Sequence, residues 1–460
     1  MTLLNCNLEQ GGVPDIDPNI PGVLDNVASS GNQRLRRLTP NPSRGQSRLP
    51  KTLFDMAPWK SFPSKRHYAL TEEQRRMYAS EKLENFRWIS KLVATYSSYI
   101  LTDSNLASDN LYQELAELGK QPPFHSLRFH VHHNGLTDCF SVGQFAEMAY
   151  SAVPIHLLLE HYETLSQPGY PLENYDAVRD AILIDAFRGT SADLPAYVAY
   201  RPDTSQLIVS ISGTSSVKHA LQDLRAIRRT HPSGKGAVHS GFWVLYQGIK
   251  TELMIGIRKG LAEHPATELI LTGHSMGGSI SYLLCLDLLT SDDILRPNLK
   301  LKIAAFGAPR TGDAALVTFF RELVGSFRQR FGGDAFKEYS VKGYNDGVPA
   351  LPPAFLGYRH FCAQPIFTVC GKLYQTPATE SEHALFHVHS DGIDEGQEYL
   401  FPKGGHNYYN GRDLERFTRR INWLDKSNPS EHGWEARYLD ISVQRNEMTP
   451  AGANAPNIQR

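Results

Sequence analysis

The chain has 460 residues, 41% hydrophobic and 21% charged, which supplies enough apolar material for one large folded domain or two ordinary ones. A formal net charge of -1 excludes the global basic field that draws proteins onto nucleic acid or a strongly anionic membrane. No apolar run approaches the roughly 18 residues of a transmembrane helix, so no membrane span is expected.

Residues 1–66 are rich in Pro, Gly, Ser and Asn without periodicity, the composition of a disordered segment. Its first part is acidic (Glu9, Asp15, Asp17, Asp25) and its second basic (Arg34, Arg36, Arg37, Arg44, Arg48, Lys51). An acidic start disfavours a mitochondrial presequence. The basic run reads as a solvated tail, with contact to anionic lipid headgroups as the weaker alternative. Thr71-Glu-Glu-Gln74 forms a capping-box pattern, and Met77, Leu83, Phe86, Ile89 and Val93 follow near helical spacing, which predicts a helix to about Ile100. A second helix is expected over Leu106 to Leu118. In Phe129-His-Val-His-His133, His130 and His132 share a strand face, but without a nearby carboxylate or cysteine they read as surface or core residues rather than metal ligands. Ser141 to His161 reads as a third helix with Phe145, Met148 and Ala149 inward, broken or kinked at Pro154. Residues 67–180 are therefore expected to form a helical extension or cap.

From Ala181 the pattern changes. Tyr197 to Tyr200 and Gln206 to Ser212 read as strands joined by a turn at Pro202-Asp-Thr-Ser205. Ser212-Gly-Thr-Ser-Ser216 follows, then Val217, Leu221 and Leu224 on one helical stripe. A longer helix is expected through Leu245, Ile249, Leu253, Ile257 and Leu261. Leu269 to Leu271 is a buried-strand run entering Gly273-His-Ser-Met-Gly277, after which Ile280, Leu283, Leu284, Leu286 and Leu288 describe a helix apolar on most sides. Leu301 to Phe306 is a further strand, Ala314 to Phe331 a helix, and another strand ends near Gly343. Hairpin-like strands are expected over residues 358–400, and a helix carrying Leu414, Phe417, Ile421 and Leu424 follows His406. Residues 426–460 are polar and read as a loose tail. Alternating strand and helix argues an α/β domain over 181–425, with a mostly parallel central sheet and helices on both faces.

Strand, Gly-x-Ser-x-Gly turn and helix occur in the order a nucleophile elbow requires, which makes Ser275 the candidate nucleophile. A serine hydroxyl needs a base, and the base a carboxylate that fixes its tautomer. Among acids after Ser275, Asp313 opens a helix and reads as a cap, and Asp334 sits in a Gly-rich loop. Asp346 lies just past the carboxyl end of a strand, where open α/β sheets place their sites, and is preferred. His360, His383, His387, His389, His406 and His432 all follow it. His406 is favoured because it sits on a loop after Gly404-Gly405 and ahead of a helix. Oxyanion donors would be the backbone N–H of Met276 and the Gly213-Thr214 loop, where Thr214 adds its hydroxyl. The same loop also suits a helix cap.

Taken together, Ile211-Ser-Gly-Thr214, Val238-His-Ser-Gly-Phe242, Thr272-Gly-His-Ser-Met-Gly-Gly278, Phe306-Gly-Ala-Pro-Arg310, Asn345-Asp-Gly-Val-Pro349 with Leu351-Pro-Pro353, and Gly405-His-Asn-Tyr-Tyr409 resemble the class 3, fungal-type lipases of the α/β-hydrolase superfamily. These motifs stand in the family's order and span roughly residues 190 to 425. The resemblance implies Ser275 as nucleophile, Asp346 as triad acid, His406 as base, and Thr214 with the Met276 N–H as oxyanion hole. It places the lid over Ser216 to Leu224, where Val217, Leu221 and Leu224 give an apolar stripe. The chain departs from the family at Ser212, where many members have arginine, and in about 190 leading residues beyond the family core.

The expected activity is hydrolysis of acylglycerol esters through an acyl-enzyme, with a phospholipase A1, a carboxylesterase or a catalytically silent lipase-fold scaffold as alternatives. No metal or organic cofactor is implied. The expected partner is a lipid or ester substrate, with peripheral contact at a lipid interface and none with nucleic acid. Cys6, Cys139, Cys285, Cys362 and Cys370 are few, odd in number and scattered, unlike a disulfide framework. Cys362 and Cys370 are spaced to face each other across a hairpin, a reduced pair being the default. No Lys or Arg precedes Arg34, and Leu3-Leu4 is too short for a leader core. These features together imply an intracellular, cytoplasmic setting.

Overall fold

The computed structural model describes residues 96–111, 141–213, 227–291, 293–344, 346–369, 372–388, 405–409 and 414–447. The segment 1–66, most of the helix expected from Thr71, the His130 and His132 pair, Thr214, the lid stripe Val217, Leu221 and Leu224, His389, and Cys6, Cys139 and Cys370 lie outside the described residues.

The first described element is a strand, β1 (Tyr96–Leu101), not the end of the expected helix. It pairs in parallel with β14 (Leu385–Val388), and Ser97 and Leu101 turn inward while Ser98 and Ile100 face out. The helix expected from Leu106 is displaced as well. Leu106 bridges to Tyr374, Ala107 N–H donates to the Leu373 carbonyl at 2.8 Å, and helical backbone begins only at Asp109. The third expected helix is two: α1 (Ser141–Met148) and α2 (Ile155–Glu160), with Pro154 at the N-cap of the second, and the short α3 (Tyr162–Leu165) follows. A proline has no N–H to continue the helix but costs nothing at its start.

β3 (Pro195–Arg201) runs antiparallel to both its neighbours, β2 (Ile182–Arg188) and β4 (Gln206–Ile211). β5 (Arg228–Thr230) and β6 (Ala237–His239) form a small side sheet with β9 (Gly312–Asp313) and β11 (Tyr358–Arg359). The single long helix expected through Leu245 and Leu261 is interrupted. α4 (Ser240–Gln247) and α5 (Lys250–Glu263) meet at Gly248-Ile249. There the Thr190 N–H donates to the Gly248 carbonyl, and a side chain at 248 would strike Ser191, so the 190–191 loop occupies the space a straight helix would need.

β7 (Glu268–His274), α6 (Met276–Thr290), β8 (Lys300–Phe306), α7 (Ala314–Phe331) and β10 (Phe336–Gly343) build the centre, and β12 (Ile366–Val369) and β13 (Lys372–Gln375) complete one edge. The eight-stranded sheet has the order β13-β12-β10-β8-β7-β4-β3-β2. β4, β7, β8, β10 and β12 are parallel, with antiparallel strands at both edges. Both faces are covered, which is why the central strands read as unbroken apolar runs. Leu269 and Leu271 of β7 enter one core with α4 to α7, whereas Ile270 enters the other with α1 to α3. α8 (Leu414–Lys426) closes that second face through Leu414, Phe417, Ile421 and Leu424. The expected loose tail is also corrected. α9 (Trp434–Glu447) docks Trp434 and Tyr438 into the second core, with Tyr438 stacked on Tyr170. Two aromatic anchors suffice there, and an otherwise polar sequence conceals them.

Candidate active site

Ser275 stands between β7 and α6 with φ 59° and ψ −128°, backbone that a non-glycine residue adopts only under constraint. The constraint is packing around the turn. A side chain at Gly273 would strike the Gly277 backbone, and one at Gly277 would strike the Ile211 carbonyl at the end of β4. The glycines let strand, turn and helix close on each other, and the Ser275 N–H is tied to the Phe306 carbonyl of β8 at 2.8 Å. Met276 opens α6, so its N–H points out of the positive end of that helix.

Asp346 follows the carboxyl end of β10 and is fully buried. Its Oδ2 accepts from His406 Nδ1 at 2.9 Å and from the Tyr409 hydroxyl at 2.6 Å, and its Oδ1 accepts the Val348 N–H at 2.9 Å. Tyr409 in turn accepts the Gly343 N–H at 2.7 Å. Burial, then the Asp346 charge, pushes the Tyr409 ionisation well above its ordinary value, so it remains a donor. The carboxylate is thus held from several sides, as a group that orients an imidazole must be.

His406 is brought to the elbow through the residue before the serine. The His274 and His406 rings lie 4.5 Å apart, and His274 Nε2 is 2.7 Å from the His406 carbonyl. On its other nitrogen His274 meets the Tyr150 hydroxyl at 2.8 Å.

The other candidates fall elsewhere. Asp313 caps α7 by accepting the Leu316 N–H at 2.9 Å, as its position suggested. Asp334 is exposed and paired with Lys337. His360 is buried against the Pro349 carbonyl, His383 pairs with Glu380, and His432 is exposed. His387 lies on β14. Cys285 and Cys362 are buried free thiols. Among the described residues no cluster of His, Cys, Asp and Glu could hold a metal ion, and no helix is long and apolar enough to cross a membrane.

Sequence reasoning missed four participants. Tyr409 belonged to a quoted motif without a role of its own. His274 was visible only as a variable position of the elbow. Tyr150, which follows α1 ahead of the α/β region, gave no signal at all. Arg310 was likewise quoted without a role. Its guanidinium donates to the Ala350, Pro352 and Glu382 carbonyls and pairs with the Glu382 carboxylate at 2.8 Å, which pins the loop beyond Asp346.

A central parallel sheet, helices on both faces and a serine held at a strained strand-to-helix turn define an α/β-hydrolase. Within that class, residues 208–356 match the family model described as Lipase (class 3). The chain is 25% identical to the secreted mono- and diacylglycerol lipase 1 of Fusarium solani over 181 residues, 39% of this chain and 49% of that protein. It is 27% identical to a lipase of Rhizomucor miehei over 213 residues, 44% of this chain and 55% of that one. The chain therefore spans about half the length of these curated relatives. Among solved structures, lipase II from Rhizopus niveus aligns over 67% of this chain and 97% of that chain, with a TM-score of 0.45 and 19% identity.

The expectation of an intracellular setting is corrected by these relatives. Two of them, the Fusarium solani protein and the secreted mono- and diacylglycerol lipase A of Penicillium cyclopium, are secreted by name, which overturns that expectation. Scarce cysteines misled because a chain with two large cores does not depend on disulfides, so their number reports little about compartment.

Proposed function

We propose that this chain is a serine ester hydrolase that cleaves acylglycerol ester bonds through an acyl-enzyme. Ser275 Oγ attacks the ester carbonyl and gives its proton to His406 Nε2, while Asp346 holds Nδ1–H and steadies the imidazolium. His406 then returns the proton to the departing alcohol, and water repeats the sequence on the acyl-enzyme. The N–H of Met276 and the loop carrying Thr214 receive the oxyanion. The lid role of Val217, Leu221 and Leu224 belongs to the same reading. The observation that carries it is the 2.9 Å pairing of His406 with a fully buried Asp346, set against the residue that precedes the strained serine. The acylglycerol class rests on the named activities of the relatives.

Wild type and Ser275→Ala are to be compared on p-nitrophenyl esters and on emulsified di- and triacylglycerol. Wild type turns over, and the variant loses about 10⁴- to 10⁶-fold in kcat. Equal turnover by two folded proteins would remove Ser275 from the chemistry.

A further inference from the structure

The loops that carry the site are joined by hydrogen bonds whose direction is fixed. The His406 carbonyl oxygen only accepts, so the His274 nitrogen 2.7 Å from it, Nε2, must carry a hydrogen. Burial, then the neighbouring His406, pushes the His274 pKa well below its ordinary value, so the ring stays neutral and Nδ1 is a bare lone pair. The group facing that lone pair is the Tyr150 hydroxyl at 2.8 Å, which must therefore donate. Its oxygen packs closely against Gly213, where a Cβ would strike it. One arrangement of protons satisfies both bonds: Tyr150 O–H to His274 Nδ1 and His274 Nε2–H to the His406 carbonyl.

These members come from separate parts of the molecule. Gly213 lies just past β4, immediately before Thr214. His274 ends β7 and adjoins Ser275. His406 lies on the loop before α8, and Tyr150 follows α1. The fit is tight enough that a side chain at Gly213 would strike the Tyr150 hydroxyl and the His274 carbonyl.

The geometry points to Tyr150 as a positioning residue for the hydrolytic site: by donating to His274 Nδ1 while packing against Gly213, its hydroxyl sets the nucleophile turn, the oxyanion loop and the His406 loop at fixed distances from one another. This inference rests on the proposed roles of Ser275 and His406. Removing the hydroxyl leaves the buried Nδ1 lone pair of His274 without its donor, so the ring that donates to the His406 carbonyl is held from one side only. Chemistry suffers, because the reacting groups must be aligned within a fraction of an ångström.

The test uses the full chain, p-nitrophenyl butyrate and a p-nitrophenyl alkylphosphonate that labels the nucleophile, with the labelled residue located by mass spectrometry. Tyr150→Phe keeps the ring and is expected to lower kcat about tenfold, as the loss of one buried hydrogen bond does, with KM within about twofold. The phosphonylation rate at Ser275 falls in parallel. In a His274→Leu background no ring nitrogen is left for the hydroxyl to hold, so Tyr150→Phe then changes kcat by less than about twofold. An unchanged kcat in Tyr150→Phe overturns the inference, as do equal losses in both backgrounds and a rise in KM at constant kcat. A Tyr150→Phe chain that fails to fold also overturns it, since the hydroxyl would then serve architecture. Wild type that hydrolyses the ester but takes the phosphonate elsewhere sinks the proposed function and the inference with it. Wild type labelled at Ser275 but indifferent to Tyr150→Phe sinks the positioning role alone.

Discussion

At Gly277 the absence of a single atom decides the architecture. A Cβ there would strike the Ile211 carbonyl and the adjoining Ser212 backbone, none of which can swing aside as a side chain would. Gly277→Ala is therefore expected to destabilise the chain by about 3 kcal/mol or more, within the range of overpacked cores, measured as a fall in urea midpoint. A variant within 0.5 kcal/mol of wild type, inside the range of an ordinary surface change, would mean that the turn can relax. This glycine was legible because its chemistry is local: the motif states what the turn forbids. Chain order and loop position also ranked Asp346 and His406 ahead of the other acids and histidines, and the structure pairs the two at 2.9 Å. Tyr150 was not, because nothing near it in sequence announces a partner that lies on β7. Side chains that act through another residue leave no spacing to read.

At the scale of elements, the loop after β10 is shaped from a distance. Arg310, just past β8, reaches across to the Ala350 and Pro352 carbonyls and to Glu382, so it holds the backbone that follows Asp346. Its guanidinium is almost wholly enclosed, and Arg310→Met would leave the Glu382 carboxylate without its cation. We expect a loss of about 3 kcal/mol, as for other broken buried pairs, together with a lower kcat as the acid loop loosens. A chemical-denaturation midpoint equal to that of wild type would refute the clamp. The elements misjudged from sequence share one cause. β1 exists because β14 lies beside it, and α9 exists because Tyr170 and its neighbours receive two aromatic rings. The bend between α4 and α5 exists because the 190–191 loop fills the space. Local periodicity carries no information about such distant partners, whereas strands buried on both faces betray themselves by composition alone.

For the molecule as a whole, the cost of a buried cation should appear as a dependence of stability on pH. Lys342 of β10 is enclosed, its ammonium donating to the Ser381 and His383 carbonyls at 2.6 and 2.9 Å. Burial, then Arg310, pushes its pKa down to about 7, against the opposing pull of Glu382. The folded pKa thus lies below the unfolded value of 10.5. The contribution to stability is present in full above the unfolded pKa and is lost as pH falls through the folded one, because the unfolded chain binds the extra proton. Wild type should gain stability relative to Lys342→Met from about pH 7 upward, and measurement up to about pH 9.5 avoids the ionisation of tyrosines in the unfolded chain. Parallel denaturation curves across that window would show that Lys342 keeps its charge when folded.

The position of α1 bears on how the chain can be divided. Every residue of that helix is buried, and the Phe145 carbonyl takes hydroxyl hydrogens from both Tyr197 of β3 and Ser210 of β4 at 2.8 Å. It lies outside the 208–356 match, yet it roofs the sheet beneath which the elbow sits. A gene trimmed to the homologous stretch would therefore encode half a sandwich, with Ile208, Ile270 and Phe306 left as a greasy floor open to water. For this chain the limits of kinship and the limits of the smallest viable polypeptide are different lines.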